Sequence, residues 1–339
     1  MGDEQHPIAE AAGAPSPEAL PVAQAETPAI DVVDLSYAYK NHRALNNVTF
    51  RVAQRSIHGF VGPNGAGKTT TLKILATLLR DASGIVRVLD HDVVRAFRKV
   101  RENIGFMPDH FSMYRQMTVF EYLDFFAAAY GMRLAQRNAV IGDILKLTDM
   151  DGRRNDLIRS LSRGMQQRVS LARVLVHDPK VLLLDEPASG LDPRARIELM
   201  EIIRELRRMG KTIFISSHIL SELAMLCDSF TIIDRGVVKY TGPKEGLLIA
   251  NGARRSYLFS LARPHPPTEE ALRGLEGVAE VVRLERDGAY RVAGDPAKIT
   301  PNVLLRVILE SQGEIASFQE DHGQLSQAFM DLTEPGVAP

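Results

Sequence analysis

Hydrophobic positions along this chain follow two periods. Ile30 to Tyr39 and Ala44 to Val52 alternate apolar and polar residues about a polar turn at Lys40 to Arg43, which predicts two paired strands. Ser56 to Val61 is a short apolar strand running into glycines, and Thr69 to Leu79 repeats at helical spacing. Val181 to Leu184 and Thr212 to Ser216 are continuous apolar runs bounded by turn signals, the form of parallel strands buried on both faces. Helical periods cover Val119 to Tyr130, Asn138 to Leu147, Gly164 to Val176 and Pro193 to Met209, and Phe230 to Tyr240 reads as a hairpin turning at Arg235-Gly236. Strands and helices alternate, so the expected class is α/β.

Beyond that hairpin the elements become short. Strand Ser256 to Leu261, helix Thr268 to Leu275, strand Val278 to Glu285, a turn at Asp287-Gly288, strand Ala289 to Val292, helix Pro301 to Ser311 and strand Ile315 to Glu320 give βαββαβ, the order of a small ferredoxin-like α+β unit. At the other end, residues 1 to 28 are rich in Ala and Pro, with no basic start and no continuous apolar stretch, which predicts a disordered tail and not a signal peptide. The expected division is a tail over 1–28, a main domain over 29–248 with a helical lobe at about 110–175, and an accessory domain over 249–335. No internal repeat is found, so one nucleotide-binding unit is expected.

Composition narrows the function. Hydrophobic residues are 45% and charged residues 24% of 339, ordinary for a globular chain. The single cysteine, Cys227, excludes an intramolecular disulfide or a thiolate metal cluster and reads as packing. Residues 1–28 hold five acids and no Lys or Arg. Without them 41 basic side chains face 37 acidic ones, a balance of +4, too weak for a nucleic-acid footprint. No run approaches 18 apolar residues, so a membrane role must come through a partner. Asn47-Val48-Thr49 matches a glycosylation acceptor by chance, inside a predicted strand.

The chemistry sits in the glycine-rich run Gly62-Pro63-Asn64-Gly65-Ala66-Gly67-Lys68-Thr69-Thr70, which fits G-x-x-x-x-G-K-[ST] between a predicted strand and helix. Glycines let backbone N–H groups curl around phosphate, and the helix N-terminus adds positive partial charge. Lys68 is expected on the β- and γ-phosphates and the Thr69 hydroxyl on Mg²⁺. Val181-Leu182-Leu183-Leu184-Asp185-Glu186-Pro187 ends a buried strand in two carboxylates, with Asp185 expected to hold Mg²⁺ through its water shell and Glu186 to orient and deprotonate the attacking water.

With Leu161-Ser162-Arg163-Gly164-Met165, Ser189-Gly190-Leu191-Asp192 and Ser216-Ser217-His218 following in order, residues 30 to 245 resemble the ATP-binding cassette ATPases that power membrane transporters. The resemblance implies a P-loop NTPase fold of that type, with a RecA-like core, an antiparallel β lobe and a helical lobe. It implies ATP and Mg²⁺ as ligands, Tyr39 stacking on adenine with Tyr37 as the alternative, and His218 linking the γ-phosphate to the D-loop Asp192 of a facing cassette. The signature Ser162, Arg163, Gly164 and Met165 would contact ATP bound by a second subunit, Ser162 and Gly164 lying where a helix N-terminus can receive an anion. Two cassettes, a homodimer by expectation, would then be needed for hydrolysis.

Two departures stand out. Asp109 follows Ile104-Gly105-Phe106-Met107-Pro108 where the family carries Gln. It is expected either to sense nucleotide and metal with altered metal dependence or to be a solvated loop acid. Arg163 and Met165 replace the family's Gly and Gln. Arg163 is either a positive charge near the facing phosphate or a solvated surface residue. These variants, and the ending Leu325 to Thr333, resemble the branch serving type-2 ABC exporters, whose permease is a separate chain.

Residues 106 to 130 hold eight of the 21 aromatics. Val119, Tyr122, Leu123, Phe126 and Tyr130 keep helical spacing and are expected in the lobe's core. Phe111, Met113 and Tyr114 break it and are expected either to dock the permease's cytoplasmic helix or to complete the core. The expected function is thus the ATPase subunit of an exporter, peripheral on the cytoplasmic face of the plasma membrane and without nucleic-acid partners. The alternative is a soluble cassette ATPase acting on nucleic acid or ribosomes, for which no second cassette, long heptad insertion or basic surface is found.

Overall fold

The computed structural model describes residues 27–40, 42–110, 112–244, 246–247, 255–284, 288–295 and 298–321. The expected tail up to Glu26, Phe111, Glu285, Asp287 and the ending Leu325 to Thr333 lie outside the described residues.

β1 (Ile30–Tyr39) and β2 (His42–Val52) pair antiparallel, and with β4 (Ser83–Val88) and β5 (His91–Asp92) they form a four-stranded sheet in the order β2-β1-β4-β5. The central sheet runs β10-β9-β3-β8-β7-β6. Its strands β3 (Ile57–Val61), β6 (Ile104–Met107), β7 (Val181–Leu184), β8 (Thr212–Ser217) and β9 (Ser229–Asp234) are parallel neighbours, and β10 (Val237–Pro243) folds back along β9. The hairpin turns at Arg235 (φ 47°) and Gly236 (φ 77°), the two positive φ values a tight two-residue turn requires.

The period-two geometry of the central strands divides the core. Ile57, Val61, Leu182, Leu184, Ile213 and Ile215 point into one cluster, shared with α3 (Val119–Ala129), α4 (Leu134–Leu147) and α5 (Arg163–Leu175). Phe60, Val181, Leu183 and Phe214 point the other way, into a cluster closed by the antiparallel sheet and α1 (Lys68–Leu75). His58 belongs to that second face, fully buried, with its ring nitrogens on Ser229 Oγ at 2.7 Å and Thr231 Oγ1 at 2.9 Å. Burial pushes its pKa down to about 3, so it packs as a neutral ring against Phe50 and Phe214.

Several boundaries depart from expectation. α1 ends at Leu75 and not Leu79, because Thr77 turns left-handed (φ 62°) and the N–H groups of Leu78 and Leu79 fold back onto the Lys73 carbonyl. α4 starts at Leu134, four residues early. β4, β5, β6, α2 (Phe97–Asn103) and α7 (Leu220–Ala224) were not anticipated. Tyr130, expected in the core, is 53% exposed, because α3 stops at Ala129 and the ring stacks on His177 with centroids 4.0 Å apart.

Beyond residue 254, β11 (Arg255–Leu261), α8 (Pro266–Arg273), β12 (Val278–Arg283), β13 (Ala289–Gly294), α9 (Pro301–Glu310) and β14 (Ile315–Glu320) follow in the order βαββαβ. Their antiparallel sheet runs β12-β13-β11-β14, and Tyr257, Phe259, Tyr290, Val292, Leu272, Leu304 and Ile308 form a cluster of their own.

Candidate functional site

Four adjacent parallel strands end at the same edge, and each hands on a chemically active residue. Val61 of β3 precedes Gly62, Ser217 of β8 precedes His218, Leu184 of β7 precedes Asp185, and Met107 of β6 leads through Pro108 to Asp109. The register pairs Val61 with Ser217 and Met107 with Leu184, so these ends are level. Carboxyl ends of parallel strands are where α/β sheets bind ligands.

The glycine-rich loop is shaped by contact and by conformation. Gly67 caps α1 at φ 108°, where a Cβ would lie 2.6 Å from Leu45 Cδ2, and a Cβ on Gly62 would lie 2.1 Å from the Ile233 carbonyl oxygen. Only glycine fits at either position. Lys68, buried at the start of α1, donates to the carbonyls of Gly62 (2.7 Å) and Pro63 (3.1 Å) and lies 3.4 Å from Glu186 Oε1. Burial lowers the Lys68 pKa below the usual ammonium range, while the Glu186 carboxylate opposes that fall.

Glu186 takes a left-handed backbone (φ 47°), a conformation that costs a non-glycine residue about 1–3 kcal/mol and persists only where neighbours over-determine it. Its N–H donates to Ser216 Oγ (3.0 Å), and its carboxylate spans Lys68 on one side and His218 Nδ1 at 2.8 Å on the other. Asp185 lies beneath, 1% exposed, accepting from Ser216 Oγ at 2.6 Å through Oδ1, while Oδ2 has no hydrogen-bond partner. Burial raises the Asp185 pKa above the ordinary carboxylate value, against the Ser216 and Thr69 hydroxyls, with Asp109 and Glu186 adding to the rise. An orphaned carboxylate oxygen beside a threonine hydroxyl and further carboxylates fits a divalent cation, which would relieve both the desolvation and the mutual repulsion.

These groups border one cleft of about 370 Å³, lined by Tyr39, His42, Ala44, Asn64, Gly65, Gly67, Lys68, Thr69, Thr70, Asp109, Glu186, Ser189 and His218. Tyr39 is 42% exposed there and meets Tyr37 edge to face; Tyr37 is not in the lining. Gly62, Pro63, Ala66 and Asp185 are not among the cleft's lining residues. Sequence reasoning missed His42, whose only signal is its pairing opposite Tyr39 across the hairpin. It also missed Ser189, and the Ser216 hydroxyl that serves both acidic residues.

The other site residues gather elsewhere. Ser162 caps α5 by accepting from Met165 N–H (3.3 Å), and Asp192 caps α6 (Pro193–Arg208) by accepting from Ala195 N–H (3.0 Å). Ser162, Gly164, Met165 and Asp192 line a second cleft of about 460 Å³ with Asp149, Gly152, Arg153, Arg168, Arg194, Ala195 and Glu198. Arg168 there is already paired with Asp149 and Glu198. Arg163 is exposed, as its reading as a surface residue expects; it is not among this cleft's lining residues, and its guanidinium donates to the Ser189 carbonyl at 3.2 Å. Of the proposed docking residues, Met113 is half-buried against the helical core, and Tyr114 is 55% exposed and packed edge to face with Phe125.

The sequence profile of the family described as ABC transporter matches residues 45–189. The chain is 32% identical over 277 residues to the Nod factor export ATP-binding protein I of Burkholderia orbicola (strain AU 1054), spanning 80% of this chain and 88% of that protein. It is 26% identical over 300 residues to the linearmycin resistance ATP-binding protein LnrL of Bacillus subtilis (strain 168), spanning 88% and 96%. A solved ATP-binding subunit of an ABC transporter superposes with TM-score 0.60 at 30% identity, over 67% of this chain and 94% of that one.

Proposed function

The chain belongs to the ABC transporter family as an ATP-binding subunit, and from that premise we propose that it hydrolyses MgATP in the first cleft as one of a pair of cassettes driving a separate exporter permease. It is an ATPase coupled to transport. Among the described residues no helix is long and apolar enough to cross a membrane, so the reading assigns the span to another chain and this one to the cytoplasmic face of the plasma membrane, as a peripheral subunit. Export rests on the relatives, which are named for Nod factor export, daunorubicin resistance and linearmycin resistance.

The observation that carries the reading is the run Lys68–Glu186–His218 across the floor of the cleft. Glu186 is the general base: it would take a proton from water at the carboxylate oxygens that Lys68 and His218 now hold in place. Lys68 would exchange its contact with Glu186 for the β- and γ-phosphates, freeing the base as substrate binds. The loop N–H groups from Asn64 to Thr70 and the N-terminus of α1 receive phosphate, and Tyr39 stacks on the adenine. Thr69, Asp185 and Asp109 would hold Mg²⁺ with the phosphates supplying further oxygens, and the ion would supply neutralisation of the phosphate charge.

The second cleft presents the start of α5, with Ser162 and Gly164, to the γ-phosphate of a partner cassette's ATP. The βαββαβ order and the 4-1-3-2 antiparallel sheet support a ferredoxin-like accessory domain at 249–335. Tyr114 and Met113, with Phe111, would dock the permease helix; Tyr114→Ala is expected to weaken copurification with the permease several-fold. The whole reading is tested by ATP hydrolysis with and without Mg²⁺ in the wild-type chain and in Glu186→Gln. Activity without Mg²⁺, or undiminished in the variant, refutes it.

A further inference from the structure

Arg163 is the first residue of α5, between Ser162 and Gly164, yet it is exposed and absent from the cleft that they line. Its guanidinium crosses to the loop after Glu186. Nη2 donates to the Ser189 carbonyl at 3.2 Å, and a Cβ on Gly190 would lie 2.6 Å from Arg163 Cζ and 2.7 Å from each terminal nitrogen. The planar head therefore rests against backbone that only a residue without a side chain leaves open, and Gly190 is left-handed (φ 66°) as well.

The loop it rests on carries the base. Ser189 N–H donates to the Glu186 carbonyl at 3.0 Å, so the turn 186–189 is closed at one end by that bond and held at the other by Arg163. Glu186 sits in a strained left-handed conformation, and Ser189 borders the first cleft alongside Lys68, Glu186 and His218. A strained residue needs such outside restraint.

We propose that Arg163 is a positioning residue that ties the signature helix to the Glu186–Gly190 turn of its own chain, so that a nucleotide held at the second cleft sets the geometry of the base in the first. Ser162 and Gly164 touch one nucleotide and Arg163 transmits to the site of the other, within one polypeptide. This rests on the two-cassette reading above. It differs from a phosphate-binding role for Arg163, because what matters is the flat guanidinium against Gly190 and the bond to Ser189, not its charge.

The test is steady-state ATPase against ATP concentration for the transporter complex carrying wild-type, Arg163→Ala, Arg163→Lys, Gly190→Ala and the Arg163→Ala/Gly190→Ala pair, each checked for wild-type melting. Wild-type is expected to show a Hill slope above about 1, with two sites as its ceiling. Arg163→Ala should lower kcat by roughly two- to tenfold and bring the slope toward about 1, with little change in the half-saturating ATP concentration, on the scale of coupling between contacting groups. Arg163→Lys should behave like Arg163→Ala, since an ammonium lacks the planar fork. Gly190→Ala, by displacing the guanidinium, should do the same, and the double variant should be no worse than either single one. Wild-type behaviour of Arg163→Lys, or additive single effects, overturns the proposal and assigns Arg163 a charge role. A wild-type complex with no ATP cooperativity, or undiminished turnover in Glu186→Gln, overturns the two-cassette reading beneath it.

Discussion

The chain carries two clefts of similar size and unlike chemistry. The first sets Lys68 at 3.4 Å and His218 at 2.8 Å from the Glu186 carboxylate, beside a buried Asp185 with an unsatisfied oxygen. That chemistry fits the proposed proton transfer and cation binding. The second is made of two helix starts already capped by their own side chains, Ser162 and Asp192, with Arg168 neutralised by Asp149 and Glu198. Nothing there is arranged to transfer a proton, but helix starts can receive an anion. On the proposed two-cassette reading, the difference is what one chain would show if it held two unlike halves of a reaction, each completed by a second copy.

The comparison breaks most directly at its catalytic side. Glu186→Gln is expected to slow ATP turnover by roughly 10² to 10⁴ while sparing ATP binding, the usual scale for removing a general base. A smaller effect comes from the other cleft: Ser162→Ala should cost about ten- to hundredfold in turnover of the assembled transporter, as for one hydrogen bond to a charged group. ATP binding by the isolated chain should persist. An equal loss in both assays would mean that the second cleft serves its own chain's nucleotide.

Stability sharpens the contrast further. Gly67→Ala puts a side chain at φ 108° and against Leu45, which should cost about 1–3 kcal/mol in thermal or denaturant unfolding. Gly164→Ala meets only the Ala195 methyl, at 2.9 Å and in ordinary helix, and should cost less. The smallest expected effect is at Asp109. Asp109→Gln should shift the ratio of Mg²⁺- to Mn²⁺-supported activity by roughly two- to tenfold, because an amide binds metal less strongly than a carboxylate. Unchanged metal dependence would leave Asp109 as a loop acid bordering the cleft.

What could be read from the sequence follows from how local each feature is. The loop Gly62 to Thr70, the pair Asp185-Glu186 and the turn Arg235-Gly236 are contiguous, and their backbone demands are written in their residue types. β4 carries a weak signal because its alternation is confined to Val86-Arg87-Val88, the first half of the strand being exposed, and α2 buries only Val100. Tyr130 kept helical spacing but fell one residue beyond the end of its helix. The contact of Arg163 with Ser189 joins residues 26 apart through the packing of two elements, and His42 enters the first cleft only by strand register. Neither has a signature along the chain.

The central claim is that the two clefts complete each other between copies, and nucleotide-dependent pairing tests it most directly. Sedimentation of the Glu186→Gln chain with MgATP should show a dimer that is absent without nucleotide and absent when Ser162→Ala is added. A chain that stays monomeric with ATP bound, while wild-type hydrolyses ATP at a specific rate independent of its own concentration, would contradict the account.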